Sequence, residues 1–346
     1  MTFSLRLSLA LWSLSCATGS SNTPVFCVPL FHLYLRIARN RSQWSVCKEK
    51  TQHWEVRAQW CYQGQYTCNE VCKAPGEWHA LYPHCGGDRQ SPINIVTSKV
   101  RRDPALTPLH LEGYHDAHDI EVENMGHSAH FTLPHSLRVS GGNLTGTYKA
   151  QQFHLHWGTD AGPGSEHTLD GERFPMELHI VHIKEQYSSL SEAKNDTSAV
   201  ALLAFFFEES AQDNIHFNVI ADALGRVRYA GNSSTAKAVR LGDLLPATEE
   251  LRGYYRYAGS MTTPGCQQVV VWTLFHRTIP VSRRQLLQVS RELRFGTGKP
   301  MTDIFRPVQH LNGRSVLWSA AGPVLPSPLA VWLCALAALG LRWNSH

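Results

Sequence analysis

The chain contains no His-Glu-x-x-His and no Gly-x-Ser-x-Gly, which removes the common signatures of metalloproteases and serine esterases. It has no concentrated stripe of lysine and arginine. Its net charge of +4 and pI near 8.6 are mild, which argues against a nucleic-acid partner. It shows no internal repeat and no low-complexity run, which excludes solenoids and extended disordered tracts. Long apolar runs are also lacking. The C-terminal run, Leu329 to Leu341, has 13 residues, where a spanning helix needs about 20. Helical periodicity is scarce: Gly242 to Leu245 is short, and Arg283 to Arg294 is amphipathic. What fills the chain instead is short β-rich runs between Gly, Pro and Asn turns. They are Ile120–Val122, Ser128–Thr132, Gln151–Trp157, Met176–Lys184, Val200–Phe207 and Val269–Phe275. The expected fold is mainly β with short helices.

Histidine is abundant, with 19 residues. Among so many, one His-x-His pair decides little. His154 and His156, in Gln152-Phe153-His154-Leu155-His156-Trp157, share one strand face because side chains alternate with period two. His179, in Met176-Glu177-Leu178-His179-Ile180-Val181-His182, supplies a third imidazole from a neighbouring strand. Three His leave one tetrahedral position open, the pattern of a catalytic zinc. Glu177 lies two residues before His179, shares its face, and can take the second imidazole N–H; Gln152 is assigned the same supporting role. His182 competes as third ligand but falls on the opposite face in a strand. Glu166-His167-Thr168 and Thr262-Thr263-Pro264 add a buried acid and a hydroxyl cluster.

These pieces lie in an order that resembles the α-class carbonic anhydrases, in their membrane-anchored, secreted branch. The matching segments are Trp60-Cys61-Tyr62, Gln90-Ser91-Pro92-Ile93-Asn94-Ile95, Gly126-His127 and the His154/His156 strand. They continue with Ser165-Glu166-His167-Thr168-Leu169-Asp170, the Glu177/His179 strand, Gly259-Ser260-Met261-Thr262-Thr263-Pro264 and Phe305-Arg306-Pro307. The resemblance implies one catalytic domain over 59–318, built on a large twisted, mostly antiparallel sheet with a cone-shaped zinc cleft. It implies Zn2+ as cofactor, CO2 and bicarbonate as substrates, and reversible hydration as the reaction.

The resemblance also assigns roles. His127 is the proton shuttle, suited by an ordinary pKa near ambient pH, with His130 nearby and Tyr62 ordering water. Thr262 orients the attacking oxygen and donates its own proton to Glu166. Val181, Leu202, Met261, Thr263, Val270 and Trp272 line the substrate pocket. Met261 stands where the family usually has Leu, and Leu202 where it usually has Val. The alternative is a carbonic-anhydrase-like binding protein with weak catalysis. The three His, Glu166 and Thr262 all being in place favours the enzyme.

Processing signals frame this domain. Residues 1–17 read as a secretory signal peptide: Arg6, an apolar Leu7 to Leu14, then Ser15-Cys16-Ala17. Residues 18–58 receive no assignment. Residues 319–346 read as a removable GPI-attachment signal, with small residues from Ser319, a Pro-containing spacer and the 13-residue apolar tail. The expected location is the outer face of the plasma membrane, through a lipid anchor. Nine Cys fit an oxidising compartment. By resemblance Cys85 pairs with Cys266, and Cys61 with Cys72 or Cys68. That leaves one Cys of this group without an assigned partner, with Cys27 and Cys47 as the remaining choices. Asn40, Asn143, Asn195 and Asn232 head Asn-x-Ser/Thr tripeptides.

Overall fold

A computed structural model describes residues 59–65, 72–193 and 195–319. The signal peptide, the 18–58 extension, Cys68, Asn40 and the tail beyond Ser319 lie outside the described residues. All described residues belong to one compact unit, 54–346.

The strands are β1 (Gln59–Trp60), β2 (Cys72–Lys73), β3 (Asn94–Ile95), β4 (Arg101–Asp103), β5 (Leu109–Glu112), β6 (His118–Asn124), β7 (Ala129–Thr132) and β8 (Arg138–Gly141). They continue with β9 (Tyr148–Trp157), β10 (Thr168–Leu169), β11 (Met176–Lys184), β12 (Val200–Ser210), β13 (Ser233–Val239), β14 (Tyr254–Gly259), β15 (Val270–Ser282) and β16 (Leu317–Ser319). The helices of four or more residues in α geometry are α1 (Asn218–Arg226), α2 (Leu241–Leu244) and α3 (Arg283–Glu292). Twelve strands form one mixed sheet in the order β13-β6-β7-β9-β11-β12-β15-β14-β16-β4, with β5 and β8 branching from β9. Most pairings are antiparallel; β12–β15 and β16–β4 are parallel.

β9, β11 and β12 lie at the centre; β11 and β12 are buried on both faces over nearly their whole length, and β9 over its second half. Alternation splits their side chains between two cores. Leu178, Ile180, Leu203, Phe205 and Phe153 face the larger one. Val181, Leu202, Ala204, Val270, Trp272 and Leu274 face the smaller one. In register, His130, His154, His179, Ala204 and Leu274 form one row across β7, β9, β11, β12 and β15. The histidines thus sit on the face of the smaller core.

The helices pack outside this frame. The N-terminus of α3 is closed by a capping box: Ser282 Oγ accepts from Gln285 N, and Gln285 Oε1 accepts from Ser282 N. Two disulfides, Cys61–Cys72 and Cys85–Cys266, are formed. The second ties the 3-10 turn at 83–86 to the loop after β14 that carries Thr262.

Candidate metal centre

Cross-strand register brings the three imidazoles together. His154 on β9 stands opposite His179 on β11, and His156 stands opposite Glu177. One ring nitrogen from each of His154, His156 and His179 lies within 4.8 Å of the others. All three residues are buried.

Each imidazole has its other nitrogen held. His154 Nδ1 lies 2.8 Å from Gln152 Oε1. His156 Nδ1 donates to the Ile304 carbonyl at 2.7 Å, and His179 Nε2 donates to Glu177 Oε1 at 2.7 Å. These bonds fix the tautomers and turn the remaining nitrogens, His154 Nε2, His156 Nε2 and His179 Nδ1, toward one point. His156 Nε2 and His179 Nδ1 are buried without any hydrogen-bond partner. Orphaned buried acceptors are costly in a finished protein unless something else satisfies them. A cation does so, and three neutral imidazoles are the donor set zinc takes. Burial holds His154 and His156 below the ordinary histidine pKa, with neighbouring imidazoles adding to it at His154, so both stay neutral as ligands must be.

His182 is excluded from this set. Its Nε2 lies 2.7 Å from the Tyr114 hydroxyl, and its Nδ1 lies 3.2 Å from the Ala201 carbonyl. Alternation along β11 puts it on the face of Leu178 and Ile180, toward the larger core.

Glu177 is the hub of the support. Its Oε1 accepts from His179 Nε2 and His167 Nδ1, each at 2.7 Å; its Oε2 accepts from Glu166 N and His167 N, each at 2.8 Å. Burial alone would raise this carboxyl. The facing His167 and His179 outweigh it and hold it well below the usual carboxylate range. The network runs on from His167 Nε2, 2.7 Å from Tyr257 Oη, which is 2.8 Å from Ser91 Oγ.

One expected contact is corrected. Thr262 is buried, but it does not donate to Glu166. Glu166 Oε1 accepts instead from Arg306 N at 2.8 Å. Its Oε2 has no partner and is turned to the ligands, 3.5 Å from His156 Nε2 and 3.9 Å from His179 Nδ1. Glu166 Oε2 and the two facing nitrogens are all acceptors, so none of the three satisfies another.

The apolar wall is assembled as a unit. Val181, Leu202, Val270 and Trp272 share the smaller core, with Met261 packed against it. Trp272 sits 4.9 Å from the His179 ring and donates its Nε1 to the Ser260 carbonyl at 3.0 Å, which ties the wall to the Thr262 loop. Thr263 is half-buried at the loop turn, its carbonyl accepting from Cys266 N.

His127 is half-buried, 4.5 Å from the Trp60 ring, and its Nδ1 has no partner. Burial lowers its pKa. His130 lies between: its ring is 5.4 Å from His154, and burial together with His127 and His156 brings its pKa down to about 4. The Tyr62 hydroxyl is buried without a partner, and burial, reinforced by Glu166, pushes its pKa up. Ser319 ends β16, buried, with its Oγ accepting from Tyr254 N and donating to the Arg252 carbonyl.

Two contributors were not legible beforehand. The Ile304 carbonyl is backbone, which no side-chain motif reveals. Arg306 was visible only as part of Phe305-Arg306-Pro307; its guanidinium is buried and bonded to Gln90, Ser91 and Cys85.

The eukaryotic-type carbonic anhydrase profile matches residues 73–320. Carbonic anhydrase 4 of Oryctolagus cuniculus is 43% identical over 288 residues, covering 81% of this chain and 92% of that protein. Carbonic anhydrase 15 of Mus musculus is 35% identical, over 82% of this chain and 90% of that one. Carbonic anhydrase 7 of Homo sapiens is 39% identical, over 70% and 92%. With this coverage and the three-histidine geometry, the chain is an enzyme of the eukaryotic-type carbonic anhydrase family.

Proposed function

We propose that this protein hydrates carbon dioxide reversibly with one zinc ion held by His154, His156 and His179, at the outer surface of the cell. The observation that carries the reading is the convergence of three tautomer-fixed imidazoles whose inward nitrogens include two with no partner. When bound there, zinc supplies a Lewis acid that makes a nucleophile from water near neutral pH, a chemistry for which this family is the reference case.

The rest is the work of the chain. Gln152, Ile304 and Glu177 orient the ligands. Val181, Leu202, Met261, Val270 and Trp272 offer a small apolar substrate a dry wall beside them. Glu166 Oε2, buried beside His156 and His179 without a partner, accepts a hydrogen bond from a donor held at the site. Thr262 and Thr263 position the reacting oxygen from the adjoining loop. His127 takes the proton left by each turnover and passes it to buffer, with Tyr62 ordering water on the way.

For location, we infer export through the signal at 1–17 and a GPI anchor at or just after Ser319. Because Ser319 is tied into β16, a junction there leaves the last strand whole. The similarity to carbonic anhydrases 4 and 15 supports this reading. Two experiments test the proposal. His179→Ala should strip zinc while His182→Ala retains it; the reverse result removes the ligand assignment. Phosphatidylinositol-specific phospholipase C should release activity from intact cells, and a stop codon after Trp318 should give secreted enzyme with no surface pool. Activity retained on cells after the lipase sinks the anchor.

A further inference from the structure

A cavity of about 310 Å³ is lined by Asn143, Arg256, Tyr257, Ser315, Leu317, Val271 and Leu106. That volume lies at the lower end of small-ligand sites. Arg256 is 5% exposed and reaches from β14 to the turn after β8. Its Nη1 donates to the Gly142 carbonyl at 2.6 Å and its Nε to Thr273 Oγ1 at 3.1 Å, but its Nη2 has no partner. A buried guanidinium donor left unmet costs free energy, so a ligand that accepts from it is favoured.

The turn itself is built to present Asn143. Leu144 N donates to the Gly141 carbonyl, and the central residues Gly142 and Asn143 both have positive φ, 54° and 58°. This is the type I′ pattern, which Gly and Asn satisfy. A Cβ on Gly142 would strike Leu109 and Tyr254 Oη. Asn143 is exposed, lines the cavity, and begins the acceptor tripeptide Asn143-Leu144-Thr145.

We propose that Asn143 carries an N-linked glycan whose first N-acetylhexosamine is seated in this cavity. Leu106, Val271 and Leu317 take the apolar face of the sugar; Arg256 and Ser315 donate to its carbonyl and hydroxyl oxygens. The proposal rests on export through the secretory pathway. The donor is a lipid-pyrophosphate-linked oligosaccharide. A bond forms between the anomeric carbon and Asn143 Nδ2 as the anomeric C–O bond to pyrophosphate breaks, and the amide proton leaves with the pyrophosphate side. Asn195 and Asn232 are exposed acceptors too, and Asn232 Oδ1 already accepts from Tyr229 N.

The test is site-resolved glycopeptide mass spectrometry on the full chain expressed in animal cells, followed by timed release with peptide N-glycosidase. Asn143 should be occupied. Under native conditions its glycan should be released about tenfold more slowly than the one on Asn232, as a seat worth one decade implies. The two should be released alike from the denatured chain. Arg256→Gln should bring the native rates together. The wild-type ratio decides even if Arg256→Gln fails to fold. Equal native rates, or an unmodified Asn143 beside a modified Asn232, overturn the seat and leave export standing. No modification at any acceptor overturns the seat, and it overturns export as well only if the chain is also missing from the medium and the cell surface.

Discussion

Glu177→Gln should cost the site its metal, and the hydrogen bonds show how. The carboxylate accepts four of them, two from backbone N–H groups and two from imidazoles. A glutamine amide has one accepting end and one donating end. If its oxygen faces the imidazoles, its NH2 meets the backbone N–H groups of Glu166 and His167, which cannot change. If its oxygen faces the backbone, its NH2 meets His179 Nε2 and His167 Nδ1, which can relieve the clash by shifting tautomer. The second arrangement wins, because only the imidazoles can adapt. It leaves the His179 proton on Nδ1, the atom turned toward His154 and His156. Removal of a ligand's supporting partner costs about 10–100-fold in metal affinity, or about 1.4–2.7 kcal/mol; the tautomer shift puts this variant at the upper end. Zinc affinity is read by equilibrium dialysis against a chelator of known strength, and near-ultraviolet circular dichroism checks the fold. A Glu177→Gln variant that binds zinc within about threefold of wild type would refute the hub role of Glu177.

Four further outcomes follow from the same geometry. His127→Ala should slow turnover in dilute buffer, leave kcat/KM nearly unchanged and be rescued by imidazole; because burial lowers the His127 pKa, the shuttle step should remain effective below the usual histidine range. His182 is buried with a pKa pushed down to about 4, against about 6.5 unfolded. Its neutral form stabilises the fold above the unfolded value, and that contribution is lost as pH falls toward 4; urea titrations should show about 2 kcal/mol lost from this group between pH 7 and pH 5, and a smaller loss in His182→Gln. The Cys85–Cys266 bridge spans 181 residues, so replacing both by Ser should cost about 5 kcal/mol by chain entropy and lower the urea midpoint. Trp272→Ala should weaken folding by about 3–5 kcal/mol in thermal melts, since its ring fills the smaller core and its Nε1 holds the Ser260 carbonyl.

The three-histidine cluster was legible because period two is a hard geometric rule: it put His154 with His156, joined Glu177 to His179 and set His182 on the other face. β11 falls where the run of apolar residues ends, Met176–Lys184. Other boundaries moved for identifiable reasons. β12 and β15 run on to Ser210 and Ser282 because a register shift after Phe205 lets their pairing resume past His276, beyond the clean alternation. Helix α1 lacks a side-chain cap, its N-cap being Phe217, so nothing marked its start. The partner of Glu166 Oε1, the backbone N–H of Arg306, carries no side-chain signal that a motif could reveal. Backbone partners such as the Ile304 carbonyl carry no sequence signal at all.

The central claim is that three histidines hold a zinc ion on which CO2 hydration depends. The direct measurement is zinc content alongside CO2 hydration of the purified protein, before chelation, after it, and after zinc is returned. The account predicts one zinc per chain, loss of hydration with loss of metal, and recovery on reloading. Hydration that persists in the metal-free protein, or a fully zinc-loaded protein that hydrates no CO2, would contradict it.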